Sequence, residues 1–120
     1  MELITEQPEY LKEIDPEFDL AFEVSKHYNH VHFLHFDGIG VFVCIDKGDT
    51  ISGHPLIHEK ARGKAAITAG KEAIKYWQDK GKHIQTRCNK ALKHARWYNR
   101  QIGLNPYYED DEFIYYEVPR

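Results

Sequence analysis

No run of this 120-residue chain reaches the ~18 to 20 apolar residues that a membrane-spanning helix needs. Its acidic start, MELITEQPEY, lacks the basic segment and apolar stretch of a secretory signal, so a cytoplasmic location is expected. Cysteine is scarce: Cys44 and Cys88 stand alone without Cys-x-x-Cys spacing, which excludes a disulfide framework and reads as two reduced, structural thiols. There is no internal repeat, no low-complexity tract and no Pro/Gly/Ser-rich linker. A chain this short buries one modest core, so residues 1–120 are expected to form a single domain whose motifs share one fold.

The formal charge of −3 conceals an uneven distribution. Residues 1–23 carry eight acidic side chains against Lys12, whereas residues 60–100 carry twelve Lys or Arg against Glu72 and Asp79. The basic half calls for an anion. The tail YYEDDEF turns acidic again, so the positive field does not run along one whole face as it does in proteins that coat nucleic acid. A localised anionic ligand fits this pattern better.

After the short apolar ELIT, Asp15, Pro16 and Glu17 supply a cap, a proline pre-set for the first helical position and an acidic first turn. They predict a helix from about Pro16 to His27, preceded by a shorter one containing Tyr10 and Leu11. The Val, Ile and Phe content of the next stretch, with turn signals at Asp37-Gly38 and Lys47-Gly48-Asp49, predicts a three-strand meander. Its strands fall at about Val31 to Phe36, Gly40 to Asp46 and Thr50 to Ile57. From Glu59 the period becomes 3.6: Ala66, Gly70, Ala73, Ile74 and Trp77 line one face of a long helix that Gly81 stops. HIQTRC is a short strand, and Asn89 can cap a second helix with Ala91, Ala95, Tyr98 and Ile102 on one face, ended by Gly103. Two tyrosine-rich strands close the chain, one near Tyr107 and Tyr108 and one from Phe113 to Val118. This alternation is that of an α/β domain around a mixed sheet.

The segment HEKARGKAAITAG delivers a strand into a helix with a glycine and three cations at the junction. Helix-start amides lack intrahelical partners, and with the macrodipole they favour phosphate. Gly63 lets a ligand approach without a Cβ in the way, and Lys60, Arg62 and Lys64 add Coulombic attraction. The plain alternative is a solvated basic helix start.

Residues 50–118 resemble the acetyl-coenzyme A-binding half of the GNAT superfamily of N-acetyltransferases. The family signature Gln/Arg-x-x-Gly-x-Gly/Ala is matched by Lys60-Ala61-Arg62-Gly63-Lys64-Ala65, with Lys first. Farther on, Asn89, Ala95, Trp97, Tyr98 and Gly103-Leu104 stand in the order of the family's Asn, alanine-containing helix, aromatic pair and Gly-Phe. The resemblance implies a mixed, mainly antiparallel central sheet with helices on both faces and acetyl-coenzyme A as cosubstrate. It implies that the amides from about Arg62 to Ala66, including those of Gly63, Lys64 and Ala65, hold the diphosphate. It also implies that Leu56, Ile57 and His58 pair with the pantetheine arm, with Lys60 and Asn89 completing the coenzyme site. The thioester would then lie where ISGHPLIH and HIQTRC diverge, and an amine would attack it directly. The family's usual tyrosine acid falls at Asn99 here, one residue past Tyr98; a one-residue step turns a helical side chain by ~100°. Tyr98 is the candidate acid, and His54, near the coenzyme strand, is the candidate base because a neutral imidazole is available near pH 7. Glu23 is a carboxylate candidate behind His54, its plain alternative being a solvated helix residue.

Competing readings remain open at this level. The stretch HYNHVHFLH places His27, His30, His32 and His35 close together; His30 and His32 share a strand face, yet a zinc site needs a third protein ligand, so no metal is expected. The segment RCNKALKHARWYNR interleaves cations and aromatics as nucleic-acid binders do, but on a helix Lys90, Lys93, Arg96 and Arg100 form a solvated stripe. The acceptor is unspecified, although the acidic N-terminal half could attract a cationic amine. The strand FIYYEV could extend a sheet across a homodimer. A second functional class is a GNAT-like binding or bacteriophage virion-associated protein that has lost catalysis.

Overall fold

The computed structural model of the chain describes residues 1–4, 30–57, 61 and 63–119. Seven strands, β1 (Glu2–Ile4), β2 (Val31–Phe36), β3 (Gly40–Asp46), β4 (Thr50–Ile57), β5 (His83–Asn89), β6 (Asn105–Glu109) and β7 (Phe113–Glu117), form one sheet. Its order is β1-β2-β3-β4-β5-β7-β6. All pairings are antiparallel except β4 with β5, where the connection passes through helix α1 (Lys64–Gln78). A parallel neighbour requires such a crossover, and its helix needs a sheet face to cover. Helix α2 (Lys93–Gln101) joins β5 to β6.

Alternation places Leu34, Phe36, Phe42, Cys44, Ile51, Ile84, Ile114 and Tyr116 on one face, and against them pack Ala66, Ala69, Ala73 and Trp77 of α1 with Tyr98 and Ile102 from the second helix. Each large side chain sealed in this layer contributes about 1.5 to 3 kcal/mol. The opposite face buries Phe33 and Val41 among Ile4, Val31, Val43 and Leu56. The helices expected at Pro16 to His27 and around Tyr10 lie outside the described residues, as does Glu23.

The strands of the meander and the apolar stripe of α1 fall where the periodicity predicts. Two boundaries differ. The described helix begins at Lys64 rather than near Glu59, because Gly63 holds φ 114° and ψ −139°, a conformation incompatible with a helix. Asn89 does not cap α2: its Oδ1 accepts the Ala91 amide at 2.9 Å as the chain leaves β5, and Leu92 stands at the N-cap instead. That local turn holds Ala91 outside the helix, and the buried positions of α2 are Tyr98 and Asn99.

Candidate active site

β4 and β5 pair over only three residues each, from Thr50–His83 to Ser52–Gln85. The Thr86 hydroxyl donates to the Gly53 carbonyl at 2.6 Å, and past that bond the two strands diverge while β4 continues to Ile57 and β5 to Asn89. The Gly53 carbonyl therefore faces β5, and by strand alternation so do the backbone groups of Pro55 and Ile57. Proline has no N–H to give a neighbouring strand, and Pro55 stands where that N–H would point into the gap. Leu56 turns its backbone the other way, toward Val41 of β3.

At the mouth of this gap α1 starts without a side-chain cap and without an acidic residue in its first turn. The first backbone bond of the helix runs from the Ile67 N–H to the Gly63 carbonyl at 3.0 Å. The amides of Lys64, Ala65 and Ala66 precede it and have no partner among the described residues. A Cβ built on Gly63 would meet nothing within 4 Å among the described residues, which leave the space over the turn open. A cleft of about 430 Å³ runs from this turn, past Pro55, Ile57 and Ala66, to Leu92, Lys93, His94, Ala95 and Tyr98 at the start of α2.

A second cleft of about 360 Å³ fills the gap between the diverging strands, lined by His54, Pro55, Thr86, Arg87, Cys88 and Asn89 of the strands and by Leu92, Ala95, Tyr98 and Asn99 below. It shares Pro55, Leu92, Ala95 and Tyr98 with the first. A third, of about 440 Å³, opens on the face away from the helices between Lys47, Ser52, Gln85, Arg87, Tyr107 and Tyr115. It shares His54, Thr86 and Arg87 with the second. The inner cleft thus adjoins both of the others, and His54 borders it and the outer one.

Burial pushes the His54 imidazole below its ordinary pKa, and the charges of Arg87 and Lys47 push it further. The ring is therefore neutral near pH 7 and can accept a proton. Tyr98 lines the first two clefts, but its hydroxyl donates to the Ala66 carbonyl at 2.6 Å and burial lifts its pKa well above the usual phenol value. A Cβ on Gly70 would sit 2.6 Å from both that hydroxyl and Ile102 Cγ2, so the glycine is what lets α1 and α2 approach closely enough for the bond.

Among the other candidates, Ile57, Gly63 and Ala66 line the first cleft. The Lys64 and Ala65 side chains lie on a neighbouring surface beside Phe36 and Ile39, leaving only their amides toward the helix start. Asn89 borders the inner cleft rather than the helix-start one. His58, Lys60 and Arg62 lie outside the described residues, as does His27. The histidine strand is divided: the His32 ring lies 5.5 Å from that of Trp77, and His35 Nδ1 lies 3.1 Å from Glu2 Oε1. No group of three metal-ligating side chains occurs among the described residues. Lys47, Arg87 and Cys88 escaped the sequence reading. The alternation of Gln85 and Arg87 in HIQTRC marked a polar face, but nothing local tied it to His54.

Forty-seven solved chains resemble this structure. Campylobacter jejuni N-acetyltransferase PseH in complex with acetyl coenzyme A aligns over 98% of this chain and 95% of its own, with TM-score 0.74 and 18% identity. A Bacillus subtilis acetyltransferase in complex with CoA aligns over the same shares, with TM-score 0.72 and 15% identity. A GNAT-family acetyltransferase from Bacillus anthracis aligns over 83% of this chain and 74% of its own, with TM-score 0.66 and 15% identity. The chain has the GNAT acetyltransferase fold. No protein-family model matches the sequence, and no curated protein does.

Proposed function

We propose that the chain is an N-acetyltransferase that moves an acetyl group from acetyl-coenzyme A to a primary amine by direct attack. The observation that carries this reading is the row of adjoining clefts: a donor-rich helix start borders the first, polar side chains line the last, and a neutral histidine borders the inner and outer ones. Similarity of fold to N-acetyltransferases, one of them in complex with acetyl coenzyme A, supports it.

In this reading the amides of Gly63 to Ala66 take the coenzyme's diphosphate. The helix dipole alone supplies only about 0.3 to 1 kcal/mol at an exposed site, so several amides act together with Lys93 and His94 across the cleft. The Pro55 carbonyl and the Ile57 backbone pair with the pantetheine arm as a further strand would, and the thioester comes to lie beside His54. The acceptor enters from the opposite face. His54 removes its ammonium proton, the neutral nitrogen bonds to the carbonyl carbon, and as the C–S bond breaks the nitrogen gives its second proton through solvent to the departing sulfur, leaving the amide and coenzyme A thiol. We assign Tyr98 a positioning role, because its proton is committed to Ala66 and its raised pKa mismatches it to a thiolate.

Calorimetric titration with acetyl-coenzyme A tests the reading, with Gly63→Glu beside the parent; a parent protein that does not bind removes it. His54→Gln should lower kcat by about 10² to 10⁴ without changing coenzyme affinity. In the parent, kcat/KM should climb as pH rises through a value below 6.5, since the depressed imidazole must lose its proton before it can accept one. That limb should vanish in the variant.

A further inference from the structure

We infer that the acceptor amine carries an anionic group, a carboxylate or phosphate, held by Lys47 and Arg87 on the sheet face away from the helices. This rests on the transferase reading and names its substrate class.

The outer cleft has His54 at its inner end and a cation on each side. Lys47 follows β3, and Arg87 lies on β5, its guanidinium 4.3 Å from the Phe113 ring centroid. That stacking orders the cation without neutralising it. Among the described residues neither Lys47 nor Arg87 belongs to an ion pair. Glu117, Asp110 and Asp46 have other partners. Glu117 lies 3.2 Å from His83 Nε2 and accepts from Gln85 at 3.5 Å. Asp110 accepts from the Tyr115 hydroxyl at 3.0 Å and from the amides of Glu112 and Phe113. Asp46 is held by the Gly48 amide and Lys82.

Two uncompensated cations beside one cleft favour an anion between them, and a planar fork such as Arg87 suits an oxyanion in particular. They also repel a second positive charge, so a polyamine or a lysine side chain is disfavoured. Ser52 and Gln85 add neutral hydrogen-bonding groups, and Tyr107 and Tyr115, with ring centroids 6.4 Å apart, supply walls for the body of the acceptor. The described lining thus attracts an anion, the opposite of the cationic amine that the acidic N-terminal sequence would attract.

The test uses matched amines on the full chain saturated with coenzyme A: glucosamine against glucosamine 6-phosphate, ethanolamine against O-phosphoethanolamine, propylamine against β-alanine, and spermidine. Calorimetry should give at least tenfold tighter binding for an anion-bearing member than for its neutral partner, weakening as salt rises. The phosphate and carboxylate pairs separate the two oxyanions. Lys47→Glu should abolish the preference while its melting temperature and acetyl-coenzyme A affinity stay at parent values; Arg87→Glu should abolish it too, with a melting temperature lowered by loss of the Phe113 stacking, and Arg87→Gln serves if the charge reversal fails to fold. Equal affinity within every pair, tighter binding of spermidine, or a preference that survives both reversals overturns the inference. Failure of the parent to bind acetyl-coenzyme A is the separate result that removes the transferase reading beneath it.

Discussion

Substitution at Gly63 separates backbone conformation from electrostatics at the helix start. Its φ of 114° with ψ −139° belongs to a region that is essentially glycine's own, and holding another residue there costs about 1 to 3 kcal/mol. A Cβ would meet nothing within 4 Å among the described residues, so this cost is torsional rather than steric. One kcal/mol shifts Tm by about 4 °C where the ranges for smaller and larger domains meet, so Gly63→Ala should melt about 4 to 12 °C lower. Gly63→Glu pays the same torsional penalty and adds a carboxylate to the turn. At about 4 Å from a phosphate, with an effective dielectric between ~20 and 80, the repulsion is about 1 to 4 kcal/mol. That is a further loss of roughly 5-fold to 1000-fold in coenzyme affinity beyond the alanine variant, and added salt should narrow the gap. Gly81, at the other end of α1 with φ 77° and equally open surroundings, is the control. Gly81→Ala and Gly81→Glu should lower Tm and leave coenzyme binding unchanged. The reasoning fails if folded Gly63→Glu binds coenzyme A within twofold of the parent, because the diphosphate then sits elsewhere.

Gly70→Ala forces a methyl to 2.6 Å from Ile102 and the Tyr98 hydroxyl, and thermal unfolding should register an overpacking loss of about 1 to 3 kcal/mol. Tyr98→Phe removes the hydroxyl's bond to Ala66 and should destabilise by about 1 kcal/mol. With Tyr98 as a positioning residue, kcat in that variant falls less than tenfold; a fall of a hundredfold or more would make Tyr98 the acid after all. Burial pushes the Cys44 thiol up to about 12, so it should resist an aromatic disulfide reagent in the native protein and react only on unfolding. Cys88, half-buried in the inner cleft with its pKa also raised, should react slowly, and coenzyme A should slow it further.

Much of the architecture is legible because it is written in short periods. The alternation of Val, Phe and Ile in residues 31–57 and the 3.6-residue stripe of Ala66, Ala73 and Trp77 each depend on neighbours a few positions apart. Gly63 is legible for the same reason, since a glycine between a strand and a helix has few other uses. The misplaced cap at Asn89 shows the limit of that grammar: an Asn two residues before an amide can close a turn or open a helix, and here packing of Tyr98 and Asn99 decides where the helix begins.

What the amino-acid order determined alone was the list of elements, the glycine turn and the concentration of cations in the second half of the chain. The tertiary structure decided the rest: β4 and β5 separate after Gly53, Lys47 and Arg87 come to flank His54, and Tyr98 commits its proton to Ala66. These join residues 32 to 40 positions apart, and such meetings follow from strand register and helix packing, which the whole core sets together rather than any local stretch.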